Sequence, residues 1–190
     1  MKFSRTKLTG LILCEPRVYG DERGYLVETF RQDKLEEFLA YKIDFVQDNE
    51  SKSSFGVLRG LHYQLPPHSQ TKLVRVIEGS VLDIAVDIRK NSPTFGEHVA
   101  IELTGTNKKQ LLVPKGFAHG FVVLSETATF AYKVDNYYNL ESERGIAFDD
   151  GQLNIDWQLP VDQLKLSPKD MQNPSLKEAT SFEFKEKSDV

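Results

Sequence analysis

Residues 56–64 read GVLRGLHYQ, a β-pattern of apolar residues that also carries Arg59 and His62. Residues 71–76 read TKLVRV and place Lys72 on a second segment of the same kind. An unpaired ion in the low-dielectric interior of a protein costs several kcal/mol of folding free energy. Cationic side chains on apolar strands therefore indicate either an exposed sheet face or a cavity that is built to hold an anion.

The segments around these two stretches repeat the β-pattern at short and nearly regular intervals. Leu82, Ile84, Val86 and Ile88 alternate with polar or small residues, which is the period of two that is typical of a strand. Similar runs occur at 24–31, 43–49, 56–64, 72–78, 97–103, 110–113, 117–124, 127–134 and 145–149, and Gly, Pro, Asn or Ser separates most of them. The pattern predicts an all-β protein, either a sandwich or a barrel.

Helical signals are few and confined to the periphery. Asp33–Glu36 read as a capping box that opens a short helix ending at about Ala40. A second helical piece is predicted after Pro160. From about residue 173 onward the chain is polar and rich in lysine and glutamate, which predicts a loosely held tail.

Length and composition predict one soluble globular domain over residues 1–190. The chain carries 24 Lys and Arg against 28 Asp and Glu, a net charge of −4, whereas a dedicated nucleic-acid binder normally shows a basic stripe. Cys14 is the only cysteine, which excludes an intrachain disulfide and a paired-cysteine metal site. No apolar run approaches the length of a signal peptide core or a membrane span. We therefore expect a cytoplasmic protein with neither nucleic-acid nor membrane partners.

Two of the four histidines occupy strand-like runs beside glycine, His62 after Gly60 and His119 before Gly120. An isolated histidine of this kind is most simply a hydrogen-bonded core residue. Two of them, together with cationic residues and Tyr132 on other β-runs, favour a lined cavity instead. For Tyr132 alone, a core tyrosine with a hydrogen-bonded hydroxyl is the simpler interpretation, and the sequence leaves that alternative open.

Side-chain parity constrains the run 56–64. His62 shares a strand face with Leu58 and Gln64, whereas Arg59 belongs to the opposite face. Both side chains can face one cavity only if the strand contains a bulge, and Gly60 is the natural position for it. We therefore predict a β-bulge at Gly60.

Residues 114–119 read PKGFAH and resemble the second half of the cupin signature, Pro-x-Gly-x-x-His, which predicts a cupin-like jelly roll. Metal-binding cupins need a His-x-His pair and a glutamate in the first motif, which gives three or four ligands around one ion. The residue two positions after His62 is Gln64, so this ligand set is incomplete. We therefore predict that the cavity contains no metal site.

Several longer motifs occur together: DERG at 21–24, QDN at 47–49, GVLRGLHYQ at 56–64, PKGFAHGF at 114–121, YK at 132–133 and YY at 137–138. In order and spacing, from roughly residue 3 to residue 172, they resemble the dTDP-4-dehydrorhamnose 3,5-epimerase family. A set of long motifs that match together is far more specific than any single short pattern.

The resemblance implies a catalytic set and a substrate-binding set. His62 would be the general base with Asp170 as its partner, and Tyr132 would be the proton donor. Lys72 would lie at the C4 oxygen of the sugar, where positive charge stabilises a developing enolate. The positions that match the family's substrate contacts are Arg23, Glu28, Gln47, Asn49, Arg59, His119, Glu143 and Lys169.

The family's activity implies a cofactor-independent isomerase that works as a homodimer formed by strand exchange. Its members invert C3 and C5 of dTDP-4-dehydro-6-deoxy-D-glucose through enolate intermediates, which gives dTDP-4-dehydro-L-rhamnose. The product belongs to dTDP-L-rhamnose biosynthesis for cell-surface polysaccharide. Three alternatives stay open: an epimerase that acts at C3 or C5 alone, a 3,4-ketoisomerase of a related deoxysugar pathway, and a non-catalytic or metal-binding cupin.

Overall fold

The structure, a computed structural model, describes residues 1–183 of the chain. Within this range most of the regular structure is β. The strands are β1 Lys2–Arg5, β2 Ile12–Glu15, β3 Val18–Asp21, β4 Gly24–Val27, β5 Gln47–Ser54, β6 Leu58–Gln64, β7 Lys72–Glu78, β8 Ser80–Asp87, β9 Arg89–Lys90, β10 His98–Thr104, β11 Gln110–Val113, β12 Phe117–Val123, β13 Thr127–Val134, β14 Glu143–Gly145 and β15 Phe182–Glu183. One α-helix, α1, spans Gln32–Leu39, and 3₁₀ turns occur at Leu140–Ser142, Val161–Gln163 and Asp170–Gln172.

Two antiparallel sheets form the body of the molecule. One has the strand order β1-β2-β11-β7-β13-β5 and the other has the order β10-β8-β12-β6-β14. Their facing surfaces enclose the main core, to which the first sheet contributes residues such as Val74, Leu111 and Phe130 and the second Val81, Ala85 and Phe121. This arrangement confirms the predicted all-β, cupin-like jelly roll.

Each sheet also has an apolar layer on its outer face. On the six-stranded sheet, Leu35 and Leu39 of α1 pack with Ile12 and Leu112. On the five-stranded sheet, the C-terminal part of the chain packs over β8 and β12, and Trp157 is among its buried residues. Because β8 and β12 are buried on both faces, an ionisable side chain on either strand lies inside the protein.

The predicted helices are found, although their details differ. The first helix begins at Gln32 after Arg31, which makes no side-chain cap, so the predicted capping box at Asp33 is wrong. Asp33 instead lies in the first turn and accepts two hydrogen bonds from the Arg31 guanidinium, at 2.8 and 2.9 Å. The piece after Pro160 is a 3₁₀ turn. Within residues 1–183 no helix has the length and apolar character that a bilayer span requires.

The segment that follows residue 173 differs from the expected loosely held tail. Leu176 is buried and its N–H donates to Asp150 Oδ2 at 2.8 Å. The hydroxyl of Tyr63 donates to the Thr180 carbonyl at 2.6 Å, and β15 pairs with β9. Residues 173–183 are therefore attached to the barrel, because their apolar side chains complete the outer layer of the five-stranded sheet. Residues 184–190 lie outside the described residues.

Candidate active site

A cavity of about 570 Å³ is lined by both sheets and by the C-terminal segment. Eight of the twelve residues that the sequence singled out line it: Arg59, His62, Lys72, His119, Tyr132, Glu143, Lys169 and Asp170. They come from five strands, from the turn at residues 170–172 and from the residue just before that turn. The lined cavity predicted from charged residues on apolar strands is therefore present.

The bulge on β6 is confirmed. His62 is opposite His119 on β12 and Arg59 is opposite Phe121, so three steps along β6 match two steps along β12. Gly60 has a φ of 149°, and a Cβ on it would lie 2.6 Å from the Cα of Gly120. The extra residue turns Arg59 and His62 toward the same cavity, which a regular strand could not do.

His62 forms a close pair with Asp170. The Nε2 atom of His62 lies 2.5 Å from Oδ1 of Asp170, which is almost fully buried. Burial by itself would raise the pKa of this carboxyl, but the hydrogen bond and charge of His62, with help from Ser167 and Lys169, hold the pKa below its usual value. An ionised carboxylate on one ring nitrogen fixes the tautomer and leaves the other nitrogen available as a base.

A second imidazole–carboxylate pair lies on the neighbouring strands. The Nε2 atom of His119 is 3.0 Å from both carboxylate oxygens of Asp83, and both residues are buried. The ring of His119 also packs beside Phe130, with centroids 6.3 Å apart. This pair holds one ring nitrogen of His119 against a buried negative charge.

Lys72 supplies a cation to the cavity. Burial lowers the pKa of its ammonium to about 8, although the nearby negative charges of Asp83 and Glu143 act in the opposite direction. No ion pair or hydrogen bond of its ammonium is found within residues 1–183. An ammonium with this pKa is mostly charged at neutral pH and can still respond strongly to a developing negative charge.

Tyr132 lies on β13, beside Phe130 and opposite Asn49 of β5. Burial raises the pKa of its hydroxyl, the positive charge of Arg59 lowers it, and Glu143 raises it. The hydroxyl therefore stays protonated at neutral pH. Tyr132 lines the cavity together with His62, so its hydroxyl can act as a proton donor. A plain core tyrosine would have no need to line the cavity.

Glu143 contacts two polar side chains at the edge of the cavity. Its carboxylate accepts a hydrogen bond from the hydroxyl of Tyr138 at 2.7 Å and forms an ion pair with Lys169. Burial would raise the pKa of Glu143, but Lys169, Tyr138 and the charge of His62 outweigh it and lower the pKa. The charged Glu143 thereby orders the side chains of Tyr138 and Lys169, of which the sequence assigned Lys169 to binding.

Four predicted substrate contacts do not line this cavity. Arg23 is at the exposed tip of the β3–β4 hairpin, where it pairs with Asp21, and Glu28 is exposed just after β4. Gln47 and Asn49 lie on β5 and are hydrogen-bonded to each other at 2.8 Å. Asn49 lines a separate cavity of about 250 Å³. Within one copy of the chain, the predicted binding set is therefore incomplete.

The sequence did not point out several residues that line the cavity, nor Asp83, which does not line it but is the buried partner of the lining residue His119. Asp83 carried a signal, since it is a charged residue in an alternating apolar strand, but its partner lies 36 residues away. Phe121 and Phe130 stack with centroids 4.2 Å apart and form an aromatic wall of the cavity. Lys165 also lines it, and no local motif marks that residue.

Within residues 1–183 no three His, Cys, Asp or Glu side chains come together in a way that could hold a metal ion. Gln64, which is at the position where metal-binding cupins have the second histidine of the His-x-His pair, is buried and hydrogen-bonded to two loops. Its Nε2 donates to the His68 carbonyl at 2.8 Å and its Oε1 accepts from the Asn139 N–H at 2.6 Å. The absence of a metal from the active protein stays a prediction.

Comparison with known proteins gives consistent matches over nearly the whole chain. The family model described as dTDP-4-dehydrorhamnose 3,5-epimerase matches residues 5–178. A protein of that name from Shigella flexneri is 50% identical over 182 residues, which cover 96% of this chain and 99% of the relative.

Solved structures agree. The crystal structure of the enzyme of that name from Elizabethkingia anophelis is 53% identical, with a TM-score of 0.90 and coverage of 93% of this chain and 97% of that one. The dTDP-6-deoxy-D-glucose-3,5-epimerase from Legionella pneumophila, solved with dTDP-4-keto-L-rhamnose, is 49% identical, with a TM-score of 0.93 and coverage of 97% and 98%. With similarity of this degree from end to end, the chain belongs to the dTDP-4-dehydrorhamnose 3,5-epimerase family.

Proposed function

We propose that this chain inverts C3 and C5 of dTDP-4-dehydro-6-deoxy-D-glucose and so forms dTDP-4-dehydro-L-rhamnose for the dTDP-L-rhamnose pathway. The observation that carries the proposal is the His62–Asp170 pair, which shares one cavity with Tyr132 and Lys72. Family membership supports the same reaction. The reaction is an isomerisation, because no atom is gained or lost between substrate and product.

His62 acts as the general base. The C4 ketone acidifies the hydrogens on C3 and C5, because the electron pair left behind delocalises onto the ketone oxygen as an enolate. The ring nitrogen that Asp170 leaves free takes the proton, and the ionised carboxylate stabilises the imidazolium that forms. Lys72 stabilises the negative charge that develops on the C4 oxygen.

Tyr132 returns a proton to the opposite face of the same carbon. Its hydroxyl proton goes to carbon, the enolate electrons form the new C–H bond, and the tyrosinate is then reprotonated from solvent as His62 releases its proton. The same cycle at the second carbon completes the double inversion. A hydroxyl whose pKa is raised by burial is a weak acid that an enolate can still deprotonate.

Other side chains of the cavity serve binding of the nucleotide part. Arg59 has an exposed guanidinium at the cavity and donates from Nε to the Ser53 hydroxyl at 3.2 Å. A planar guanidinium suits the oxygens of a pyrophosphate, which it can bind in bidentate fashion. We assign Arg59, His119 and Lys169 to this part of the substrate and Glu143 to ordering Lys169.

We further propose a homodimer in which the β3–β4 hairpin reaches the partner. β5 is the last strand of its sheet and, within residues 1–183, pairs only with β13, so one of its edges is free. The hairpin forms a two-stranded sheet of its own and exposes Tyr19, Tyr25 and Leu26. Free strand edges and exposed apolar side chains are usually covered in the assembled protein.

The same exchange would explain the four residues that do not line the cavity. Two of them lie on or just after the hairpin and two lie on β5, which are the elements that the exchange would bring to the partner. The β3–β4 hairpin of one copy would thereby complete the set of substrate-binding residues of the other copy. Residues 1–190 then act as one domain per copy, and a cytoplasmic location stays a prediction that cell fractionation checks.

The dimer is tested by light scattering of Leu26→Asp and of Val161→Asp, two changes at apolar residues of similar exposure. Leu26→Asp places a charge on the hairpin and should give the mass of one chain. Val161→Asp lies outside the hairpin and should keep the mass of two. A wild-type protein that is a stable and active monomer at micromolar concentration overturns the proposal.

The reaction is tested by proton NMR of the dTDP-4-keto sugar with enzyme in D₂O. The wild type should exchange hydrogen at both C3 and C5 and form the doubly inverted product. Tyr132→Phe should still exchange, with retained configuration, and form little inverted product. Exchange at one carbon alone identifies a single-centre epimerase, and no exchange points to a non-catalytic cupin.

Full activity after exhaustive chelation is expected, since Lys72 occupies the role that a Lewis acid would otherwise have.

A further inference from the structure

The turn that carries Asp170 is attached to the barrel on both sides of the carboxylate. Before the turn, Lys165 pairs with the start of β6, and its carbonyl accepts from the Leu58 N–H at 3.0 Å. After the turn, the carbonyl of Pro174 accepts from the Ala147 N–H at 2.8 Å. The second attachment follows β14, the strand that pairs with β6 beside the catalytic histidine.

Asn173 lies between the turn and this second attachment, and its side-chain amide covers Gly145. A Cβ built on Gly145 would lie 2.2 Å from Oδ1, 2.4 Å from Cγ and 2.5 Å from Nδ2 of Asn173. All three distances are far below van der Waals contact, so the amide occupies the space that a side chain at position 145 would need. Gly145 is the residue of β14 directly opposite His62.

Two further facts show that this contact depends on shape. The φ of Gly145 lies outside the left-handed region, so its backbone would accept alanine and only the amide stands in the way. The Nδ2 atom of Asn173 is buried and has no hydrogen bond within residues 1–183. A buried, unpaired N–H costs free energy, so hydrogen bonding does not account for the position of the amide.

We infer that Gly145 and Asn173 form a positioning contact that sets Asp170 against His62. The inference deepens the proposed function and rests on it, since His62 is the base whose partner is being placed. Because residue 145 has no side chain, the segment that carries Asn173 can pack directly against β14. Asp170 lies three residues before Asn173 in this segment, and its carboxylate is 2.5 Å from His62. A rise of the turn by about 1 Å would break that hydrogen bond and could cost about 10²-fold in rate.

Gly145→Ala tests the contact, and Gly151→Ala is its matched control. An added Cβ at Gly151 meets nothing within 4 Å, and Gly151 also has no left-handed φ. We expect Gly145→Ala to lower kcat by about 10²-fold, with unchanged affinity for dTDP, and Gly151→Ala to behave as the wild type. The selective loss of kcat separates displacement of Asp170 from a general loss of structure.

Two combined variants show whether the effect passes through Asn173 and Asp170. Gly145→Ala with Asn173→Ala removes the atoms that the new methyl group would strike and should regain most of the lost kcat. In an Asp170→Ala background, Gly145→Ala should have no further effect on kcat. Crystal structures should show His62 and Asp170 separated in Gly145→Ala and within hydrogen-bond distance again in the double variant.

The inference is wrong if Gly145→Ala keeps wild-type kcat, if truncating Asn173 restores nothing, or if the loss persists in the Asp170→Ala background. Should Gly145→Ala not fold, Asn173→Leu replaces the flat amide by a thicker side chain and should lower kcat in the same selective way. A wild-type protein that does not epimerise refutes the proposed function. The positioning contact is then still tested by the distance between His62 and Asp170 in the crystal structures of the variants.

Discussion

The two imidazole–carboxylate pairs of the cavity lie side by side and are built differently. His119 and Asp83 come from β12 and β8, which pair directly, and their side chains are 7% and 0% exposed. His62 meets Asp170 from a turn 108 residues later in the chain, and its side chain is 30% exposed. One pair is part of the barrel core, and the other is completed by a segment that packs onto it.

This difference between the two pairs indicates that they have different roles in the reaction. A proton can be passed to a substrate only by a group that the substrate reaches, which favours the more exposed His62 as the base. A buried carboxylate close to a histidine and to Lys72 instead sets the charge of the cavity wall. We therefore expect the His62–Asp170 pair to control turnover and the His119–Asp83 pair to control binding and charge.

Replacing His62 should have the largest effect. His62→Ala removes the base and should lower kcat by roughly 10²–10⁴-fold, with dTDP affinity nearly unchanged, as measured by steady-state kinetics and calorimetry. His98→Ala, at a half-buried histidine outside the cavity, serves as the control and should keep full activity. Near-normal turnover of His62→Ala would remove the distinction between the two pairs.

Lys72 should follow, because its contact strengthens only as the enolate forms. Lys72→Met should lower kcat by about 10²–10³-fold and change KM little. Because burial lowers the pKa of Lys72 to about 8, the ammonium is charged below that pH and loses its proton above it. The rate should therefore fall as pH rises through about 8, and Lys72→Met should lack this alkaline limb. If the alkaline limb persists unchanged in Lys72→Met, it reports the titration of another group.

Replacing His119 should affect binding more than turnover. His119→Asn should weaken binding of the substrate by about 10–100-fold, the value of a hydrogen bond to a charged group, and leave kcat within a few-fold of the wild type. Titration with a substrate analogue checks the affinity. An equal loss of kcat and kcat/KM would show that His119 contacts only the transition state.

Asp83→Asn should have the smallest effect on rate and the clearest effect on the pH profile. The negative charge of Asp83 raises the pKa of Lys72 against the effect of burial. Without that charge the ammonium loses its proton more easily, so the alkaline limb should move to lower pH. The exposed Asp162→Asn is the control and should leave the profile unchanged. A limb that does not move would show that Asp83 acts through His119 alone.

Local sequence predicted the parts of this site that depend on neighbours along one strand. The bulge at Gly60 followed from parity, because Arg59 and His62 could share a cavity only if one residue was added between them. β5 was placed too early, at 43–49 instead of Gln47–Ser54, because Ser51–Ser54 are polar and their strand conformation comes from pairing with β13. The helix start was misplaced because the pairing of Arg31 with Asp33 replaced the expected cap.

By itself the sequence determined the all-β class, the bulged strand and, through its motifs, the family and eight of the residues that line the cavity. These depend on the period of two and on the order of residues along the chain. Only the tertiary structure decided that Asp83 faces His119, that Asn173 covers Gly145 and that Arg23, Glu28, Gln47 and Asn49 lie away from the cavity. Such contacts join positions that are distant along the chain, and they depend on strand register and on the packing of the C-terminal segment, neither of which leaves a local pattern.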